Sequence, residues 1–180
     1  NSSVAMVNNA VYSNTSGWGG GVYLKGCPLA RLSDNLLAGN VAGIGGGVFL
    51  RESDSLLSRN RIEGNRAETN VGGGIYQNGG VAVLRDNVIA GNLAYASHGG
   101  GLFLRYPEPG SSLEGNEIVE NEAGSAGGGL VIQSGQAELR ANTIAGNETN
   151  GWGGGGYVVA SDDVLFEGNV ISDGDRSLMI

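Results

Sequence analysis

The chain has little of several residue types on which common sites depend. Its 180 residues include one cysteine, one histidine and three prolines. A lone cysteine excludes an internal disulfide, and a lone histidine argues against a histidine-based metal site. Ten basic residues stand against 18 acidic ones, and this net charge of −8 argues against nucleic-acid binding, which needs a positive field. No apolar run approaches the roughly 18 residues of a membrane-spanning helix, so no transmembrane span is predicted.

Asparagine and glycine, in contrast, are abundant and recur at fixed places. Two asparagines five residues apart occur six times, and Asn169 begins a seventh, incomplete pair. The six complete pairs are Asn9 and Asn14, Asn35 and Asn40, Asn60 and Asn65, Asn87 and Asn92, Asn116 and Asn121, and Asn142 and Asn147. The leading asparagines follow one another after 26, 25, 27, 29, 26 and 27 residues. A period of this length indicates a repeat architecture.

Three short apolar segments are visible in each repeat. One leads into the first asparagine, one lies between the asparagines, and one follows a glycine triplet, as in Gly-Leu-Phe-Leu at 101–104. The last alternates with the period of two that a strand requires. With no helical pattern between them, the segments predict a parallel β-helix. A leucine-rich repeat is the rival fold, but a glycine triplet opposes the helix that fold needs, at about 1 kcal/mol per glycine.

An asparagine at the same corner of every coil predicts a hydrogen-bonded ladder along the solenoid. Each side-chain amide can both donate to and accept from the asparagine of the next coil. We also expect the backbone of these asparagines to be left-handed, a conformation that asparagine tolerates.

The N-x-I-x-x-N and G-G-G-[VIL]-[FY] motifs resemble the right-handed parallel β-helix repeats of bacterial surface and secreted proteins, most closely those of the polymorphic outer membrane protein type. The resemblance covers nearly the whole chain. Together with the period and the three apolar segments, it predicts an all-β, right-handed parallel β-helix in which residues 1–180 form a single solenoid segment of six to seven coils. Each coil would have 25–29 residues and three short strands. It also implies an extracellular or bacterial cell-surface location.

The outward face of the glycine strand is the predicted binding surface. The columns headed by Val22 and Leu24 are aliphatic in nearly every coil and suit the interior, so the residues between them should point outward. The predicted ligand- or partner-binding residues are Tyr23, Phe49, Tyr76, Phe103 and Tyr157, with Lys25, Arg51 and Arg105 at the strand ends. Sugar rings stack on exposed aromatic faces, and the cations could pair with acidic sugars or a protein partner.

Nothing in the sequence predicts a catalytic residue, a cofactor or a metal site. The acidic residues lack the spacing of a calcium loop, and His98 stands in an otherwise apolar column, where packing is its expected role. We therefore predict a non-catalytic surface or secreted module that acts as adhesin, stalk or binder of a polysaccharide or protein. Part of a polysaccharide-active lyase, hydrolase or epimerase is the alternative. Because both ends fall partway through a repeat, we expect a fragment of a longer chain whose terminal coils associate end to end.

Overall fold

Each strand of the structure pairs in parallel with strands one repeat earlier and later in the chain. A computed structural model describes residues 3–161, 163–172 and 177–180. Over these residues the chain forms a right-handed parallel β-helix of about seven coils with no helix, which confirms the predicted fold class. Coil 1 spans residues 4–29, coil 2 30–54, coil 3 55–81, coil 4 82–111 and coil 5 112–136. The described residues of coil 6 are 137–161 and 163, and those of coil 7 are 164–172 and 177–180.

The described strands form four sheets, so a coil has four strands where three were predicted. Sheet A contains Val4–Val7, Ala30–Ser33, Ser55–Ser58, Ala82–Arg85, Ser112–Glu114, Ala137–Arg140 and Val164–Glu167. Sheet B contains Ala10–Tyr12, Leu36–Ala38, Arg61–Glu63, Val88–Ala90, Glu117–Val119, Thr143–Ala145 and Val170–Ser172. Sheet C contains Thr15–Trp18, Val41–Ile44, Arg66–Ala67, Leu93–Ala94, Glu122–Ala123 and Glu148–Thr149. Sheet D contains Val22–Lys25, Val48–Arg51, Ile75–Asn78, Leu102–Arg105, Leu130–Gln133, Gly156–Val159 and Leu178–Met179.

The strands that the sequence did not predict are those of sheet C, which follow the second asparagine of each pair. Four of them have only two residues. Their inward position holds a small residue such as Ala67 or Ala94, both fully buried. A two-residue strand with alanine inside shows no alternating apolar pattern, and the prediction of three strands per coil was wrong for this reason.

Aliphatic side chains fill the interior in columns that run along the solenoid. Leu84 of sheet A pairs in register with Leu57 and Leu113 of the adjacent coils, and all three are fully buried. Ile89 occupies the matching column of sheet B. Because full burial of such a side chain contributes about 1.5 to 3 kcal/mol, these repeated columns are the main source of stability.

Two asparagine ladders run along the corners on either side of sheet B. Asn87 Nδ2 donates to Asn116 Oδ1 at 2.9 Å and to the Leu57 carbonyl oxygen at 2.9 Å. Asn87 Oδ1 accepts from the backbone N–H and from Nδ2 of Asn60, at 2.9 and 3.0 Å. Asn92 repeats this arrangement in the second ladder. The predicted ladder is confirmed, and the side-chain oxygen and nitrogen of Asn87 and Asn92 each have two hydrogen-bond partners.

The left-handed residue at each of these corners precedes the ladder asparagine. Asp86 and Gly91, which come before Asn87 and Asn92, have φ angles of 53° and 59°. The prediction that the asparagines themselves are left-handed was wrong. The chain turns one residue earlier because the backbone N–H of Asn87 must face along the ladder, where it donates to Asn116 Oδ1 at 3.0 Å.

The glycine triplets lie where the chain passes close to the adjacent coil before entering sheet D. Gly99 takes a φ of 70°, which favours glycine. A Cβ on Gly101 would lie 2.6 Å from the Gly129 carbonyl oxygen and 2.9 Å from Asn121 Cγ. The third glycine therefore leaves room for the ladder asparagine and sets the position at which the outer face of sheet D begins.

Candidate functional site

The predicted aromatic residues form a column on the outer face of sheet D. Tyr76 pairs in register with Phe49 and Phe103, and the column continues through Val131 to Tyr157. These side chains form a hydrophobic cluster of their own, separate from the interior cluster that contains the neighbouring aliphatic residues of the same strands. Their outward direction agrees with the alternation in the sequence.

The three central rings are nevertheless buried and Tyr23 and Tyr157 are half-buried, which differs from the exposed strip that was expected. Phe49, Tyr76 and Phe103 are 5 %, 5 % and 4 % exposed. The centroids of Phe49 and Tyr76 are 4.8 Å apart at an interplanar angle of 24°, and those of Tyr76 and Phe103 are 5.6 Å apart in an edge contact. Adjacent coils lie about 4.8 Å apart, close to the distance at which rings stack, so neighbouring rings cover one another's faces.

One wall of the site rises from the loops between sheet C and sheet D. Ile44 and Val71 pack against the aromatic cluster from this side. The loops of coils 3 and 4 have seven residues from the second asparagine to the glycine triplet, against five in coils 1 and 2, and they carry Asn70 and His98 into the wall. Ser97 Oγ lies 2.9 Å from His98 Nδ1. The longer loops make the outer face of sheet D concave.

Two exposed tryptophans stand at the ends of this wall. Trp18 of coil 1 and Trp152 of coil 6 are 51 % and 62 % exposed. Trp18 contacts the ring edges of Tyr23 and Phe49, and Trp152 lies near Tyr157. Ring faces available for stacking are therefore found at the ends of the site rather than along its floor.

The opposite wall consists of the residues at the ends of the sheet D strands. Arg51, Asn78, Arg105 and Gln133 follow one another in register over coils 2 to 5. The Nε atoms of Arg51 and Arg105 are buried without a hydrogen bond, and in the described part of the chain only Arg66 shares this property. The side-chain amides of Asn78 and Gln133 make no hydrogen bond to the described residues. This wall thus offers hydrogen-bonding groups that the protein leaves unused.

The two arginines do have charged or aromatic neighbours. Arg51 Nε, although itself buried, lies 3.4 Å from Glu52 Oε1 without forming a hydrogen bond. Because both side chains are partly exposed, this ion pair contributes at most about 1 kcal/mol. Arg105 lies over the Tyr106 ring, 5.0 Å from its centroid. Burial raises the pKa of Tyr76, and its hydrogen bond with Arg105 partly opposes this. Because these contacts are weak or neutral, both guanidinium groups keep their capacity to bind an anion.

Together the floor and the walls enclose a groove of about 600 Å³ that runs along the solenoid axis. The groove is lined by Trp18, Ile44, Phe49, Arg51, Asn70, Val71, Tyr76, Asn78, Ser97, His98, Phe103, Arg105, Val131, Gln133, Tyr157 and Val159. Its volume lies in the range of ligand sites. No aspartate or glutamate lines it, although the whole chain has a net charge of −8. The groove is therefore a locally cationic site.

Six of the eight predicted binding residues line the groove, namely Phe49, Tyr76, Phe103, Tyr157, Arg51 and Arg105. The other two do not, since Tyr23 packs beside the cluster and Lys25 is exposed outside the lining. His98, which was expected to be packed, is half-buried in the wall, and burial lowers its pKa.

The prediction missed the polar loop residues and the tryptophan at one end. The available signal was the extra length of the loops in coils 3 and 4, which places Asn70 and Ser97 above the sheet.

No group of three or more histidine, cysteine, aspartate or glutamate side chains suited to a metal ion occurs within residues 3–161, 163–172 and 177–180. The same residues include no helix of sufficient length and apolarity to span a membrane.

Comparison with known proteins gives one match. A family model described as a right-handed β-helix region matches residues 1–171. Neither the curated proteins nor the solved structures gave a significant match.

Proposed function

The chain belongs to the right-handed β-helix family, and we propose that it is a non-catalytic module that binds a polysaccharide along the outer groove of sheet D. One observation carries the proposal: a concave aromatic floor is bordered by the side-chain amides of Asn78 and Gln133, which make no hydrogen bond to the described residues, and by two arginines that line the groove beside them. Buried rings give an apolar base for the carbon faces of sugars, and amide and guanidinium groups pair with hydroxyl or carboxylate oxygens.

The direction of the groove favours a linear polymer over a small molecule. Its lining residues extend from coil 1 to coil 6, and five steps of about 4.8 Å give about 24 Å along the axis. Trp18 and Trp152 add exposed rings near the two ends. A sugar chain lying parallel to the axis would contact both walls at every coil, and its terminal units could stack on the tryptophans.

We further propose that the module works outside the cell, on a bacterial surface or as part of a secreted protein of the polymorphic outer membrane protein type. Support comes from the repeat motifs and from a groove that suits an extended glycan. Adhesion and a stalk that carries such a binding face are both compatible with this role.

The test is binding of a panel of neutral and acidic polysaccharides to the parent chain and to the double variant Asn78→Ala, Gln133→Ala. Both amides lack a protein hydrogen bond, so the variant should fold normally but bind at least about tenfold more weakly, as expected from losing hydrogen bonds worth about 1 kcal/mol each. Gln136→Ala, at another corner of the coil, is the matched control and should bind like the parent. Equal affinities of parent and double variant, or no binding by the panel, would contradict the proposal.

A polysaccharide-cleaving enzyme is the second candidate, favoured by the position of His98. The imidazole lines the groove beside Ser97, and its lowered pKa keeps it neutral near pH 7, where it can accept a proton. New reducing ends or unsaturated ends after incubation with the bound polymer, lost in His98→Gln, would support this function over simple binding.

A further inference from the structure

Over coils 2 to 5 the outer wall of the groove alternates between a cation and a neutral amide, whereas Lys25, which precedes Arg51 in the same register, is exposed outside the groove lining. Arg51, Asn78, Arg105 and Gln133 occupy coils 2, 3, 4 and 5 in register, so a cation and a neutral amide follow one another twice. Consecutive positions are about 4.8 Å apart along the axis, and the two cations about 9.6 Å apart. The period of charge in this wall is therefore two coils.

We propose that the groove selects a polysaccharide whose acidic units alternate with neutral ones. This inference rests on the proposed function and specifies its ligand. Both guanidinium groups line the groove. Their protein contacts are weak, a 3.4 Å ion pair of Arg51 with Glu52 and a 3.4 Å hydrogen bond from Arg105 to the Tyr106 hydroxyl. A carboxylate or sulfate group is the acceptor that pairs best with a guanidinium. The amides between them suit neutral hydroxyl or acetamido groups, because an amide can donate and accept but carries no charge.

The distance between the cations matches a disaccharide repeat in an extended chain. Two linked pyranose units advance by about the same length as two coils, so one acidic group per disaccharide would meet Arg51 and then Arg105. An extended acidic peptide fits less well, since its side chains on one face repeat at about 6.8 Å and match neither one coil nor two.

A polymer with an acid on every unit would place a carboxylate opposite Asn78 and another opposite Gln133. These carboxylates would lose water without gaining a cation, and burial of an uncompensated charge is unfavourable. The chain's own net charge of −8 adds to the repulsion of a densely charged polymer. The wall thus favours alternation over uniform charge.

The test compares three oligosaccharides of equal length by titration calorimetry: a hyaluronan oligosaccharide with alternating acidic and neutral units, an oligogalacturonate with an acid on every unit, and a neutral cello-oligosaccharide. We expect the hyaluronan oligosaccharide to bind about tenfold more tightly than either of the others. Arg105→Gln should remove most of this preference. Asn78→Arg should shift the preference towards the oligogalacturonate, because it adds a cation at the intermediate coil.

The outcomes separate this inference from the function on which it rests. Equal or tighter binding of the oligogalacturonate, or tightest binding of the neutral sugar, would overturn the alternation while leaving polysaccharide binding in place. No binding by any of the three, nor by the wider panel, would overturn both. Gln133→Arg repeats the Asn78→Arg test one coil beyond Arg105, so the inference stays testable if one of the two variants fails to fold. An unchanged preference in a folded variant of either kind would also overturn it.

Discussion

Leu102 and Leu104 face the interior of the solenoid while Phe103 between them faces outward, yet all three are at most 4 % exposed. The interior residues are enclosed by the other sheets and are aliphatic in most coils. Gln77, in the column of Leu104, is the buried polar exception and accepts a hydrogen bond from Ser55. Phe103 is buried by the outer-face cluster that it forms with Tyr76 and Val131 of the adjacent coils. Burial on the inner face of sheet D thus follows from the fold itself. Burial on the outer face depends on which side chains the neighbouring coils place there.

This difference separates stability from recognition in one sheet. The inner face tolerates little variation because every coil must pack on the next at the same distance. The outer face changes along the axis, with rings in coils 1 to 4, Val131 in coil 5 and Tyr157 in coil 6. The groove follows this changing face, so its ligand preference can change without disturbing the solenoid.

Removal of a ladder asparagine should have the largest effect on stability. Asn87→Ala would leave the backbone N–H and Nδ2 of Asn60 without their shared acceptor, at a cost of about 1 to 3 kcal/mol for each buried donor. Chemical denaturation of the variant should show this loss. Asn78→Ala is the matched control, an asparagine on the outer wall whose removal should leave the free energy of unfolding nearly unchanged. Equal effects of the two changes would show that the ladder contributes nothing special.

A second pair of variants compares the two faces of one strand directly. Leu104→Ala should cost about 2 to 5 kcal/mol, because the cavity forms in a closed interior. Phe103→Ala removes a larger side chain but should cost less, about 3 kcal/mol or below, since the space opens into the groove and can fill with water. Urea unfolding of both variants measures the difference. A greater loss for Phe103→Ala than for Leu104→Ala would mean that the outer cluster is as much a core as the interior.

The sequence predicts those features that every coil repeats. Leu84, Ile89 and Asn87 were assigned correctly because each has a counterpart in all neighbouring coils, and the same side chain in the same place has one physical explanation. Ala67 hid a strand because a small side chain in a two-residue segment gives no pattern. The repeated aliphatic and asparagine residues determine the fold, and most of the fold could therefore be predicted from the sequence.

The site was less accessible because it depends on relations between coils. Alternation along the strand showed that Tyr76 points outward, but its low exposure results from ring contacts across the coil spacing. Likewise, Ser97 and His98 enter the groove because their loop is longer than that of coil 2. The sequence gives the length of this loop but not the direction in which it extends. The alternation of Arg51 and Arg105 with the two amides could be recognised only once the strand register of sheet D placed these residues in one column.

The smallest expected effect concerns the one titrating group in the loop wall. Burial lowers the pKa of His98 below its ordinary value of 6.5, so the unfolded chain takes up a proton at a higher pH than the folded chain. The contribution of His98 to stability is therefore complete above pH 6.5 and is lost as the pH falls towards the folded-state pKa. The melting temperature of the parent should drop slightly between about pH 7 and 5.5, a window above the ordinary range of carboxylate titration. His98→Gln should flatten this dependence of melting temperature on pH, because glutamine does not titrate.

Added acidic polysaccharide should also reduce the pH dependence of the parent's melting temperature, since an anion in the groove favours the imidazolium ion. If the melting temperature depends on pH equally in the parent and in His98→Gln, the imidazole lies in water rather than in the wall. That outcome would also weaken the contrast between the outer face, whose burial depends on neighbouring side chains, and the closed interior.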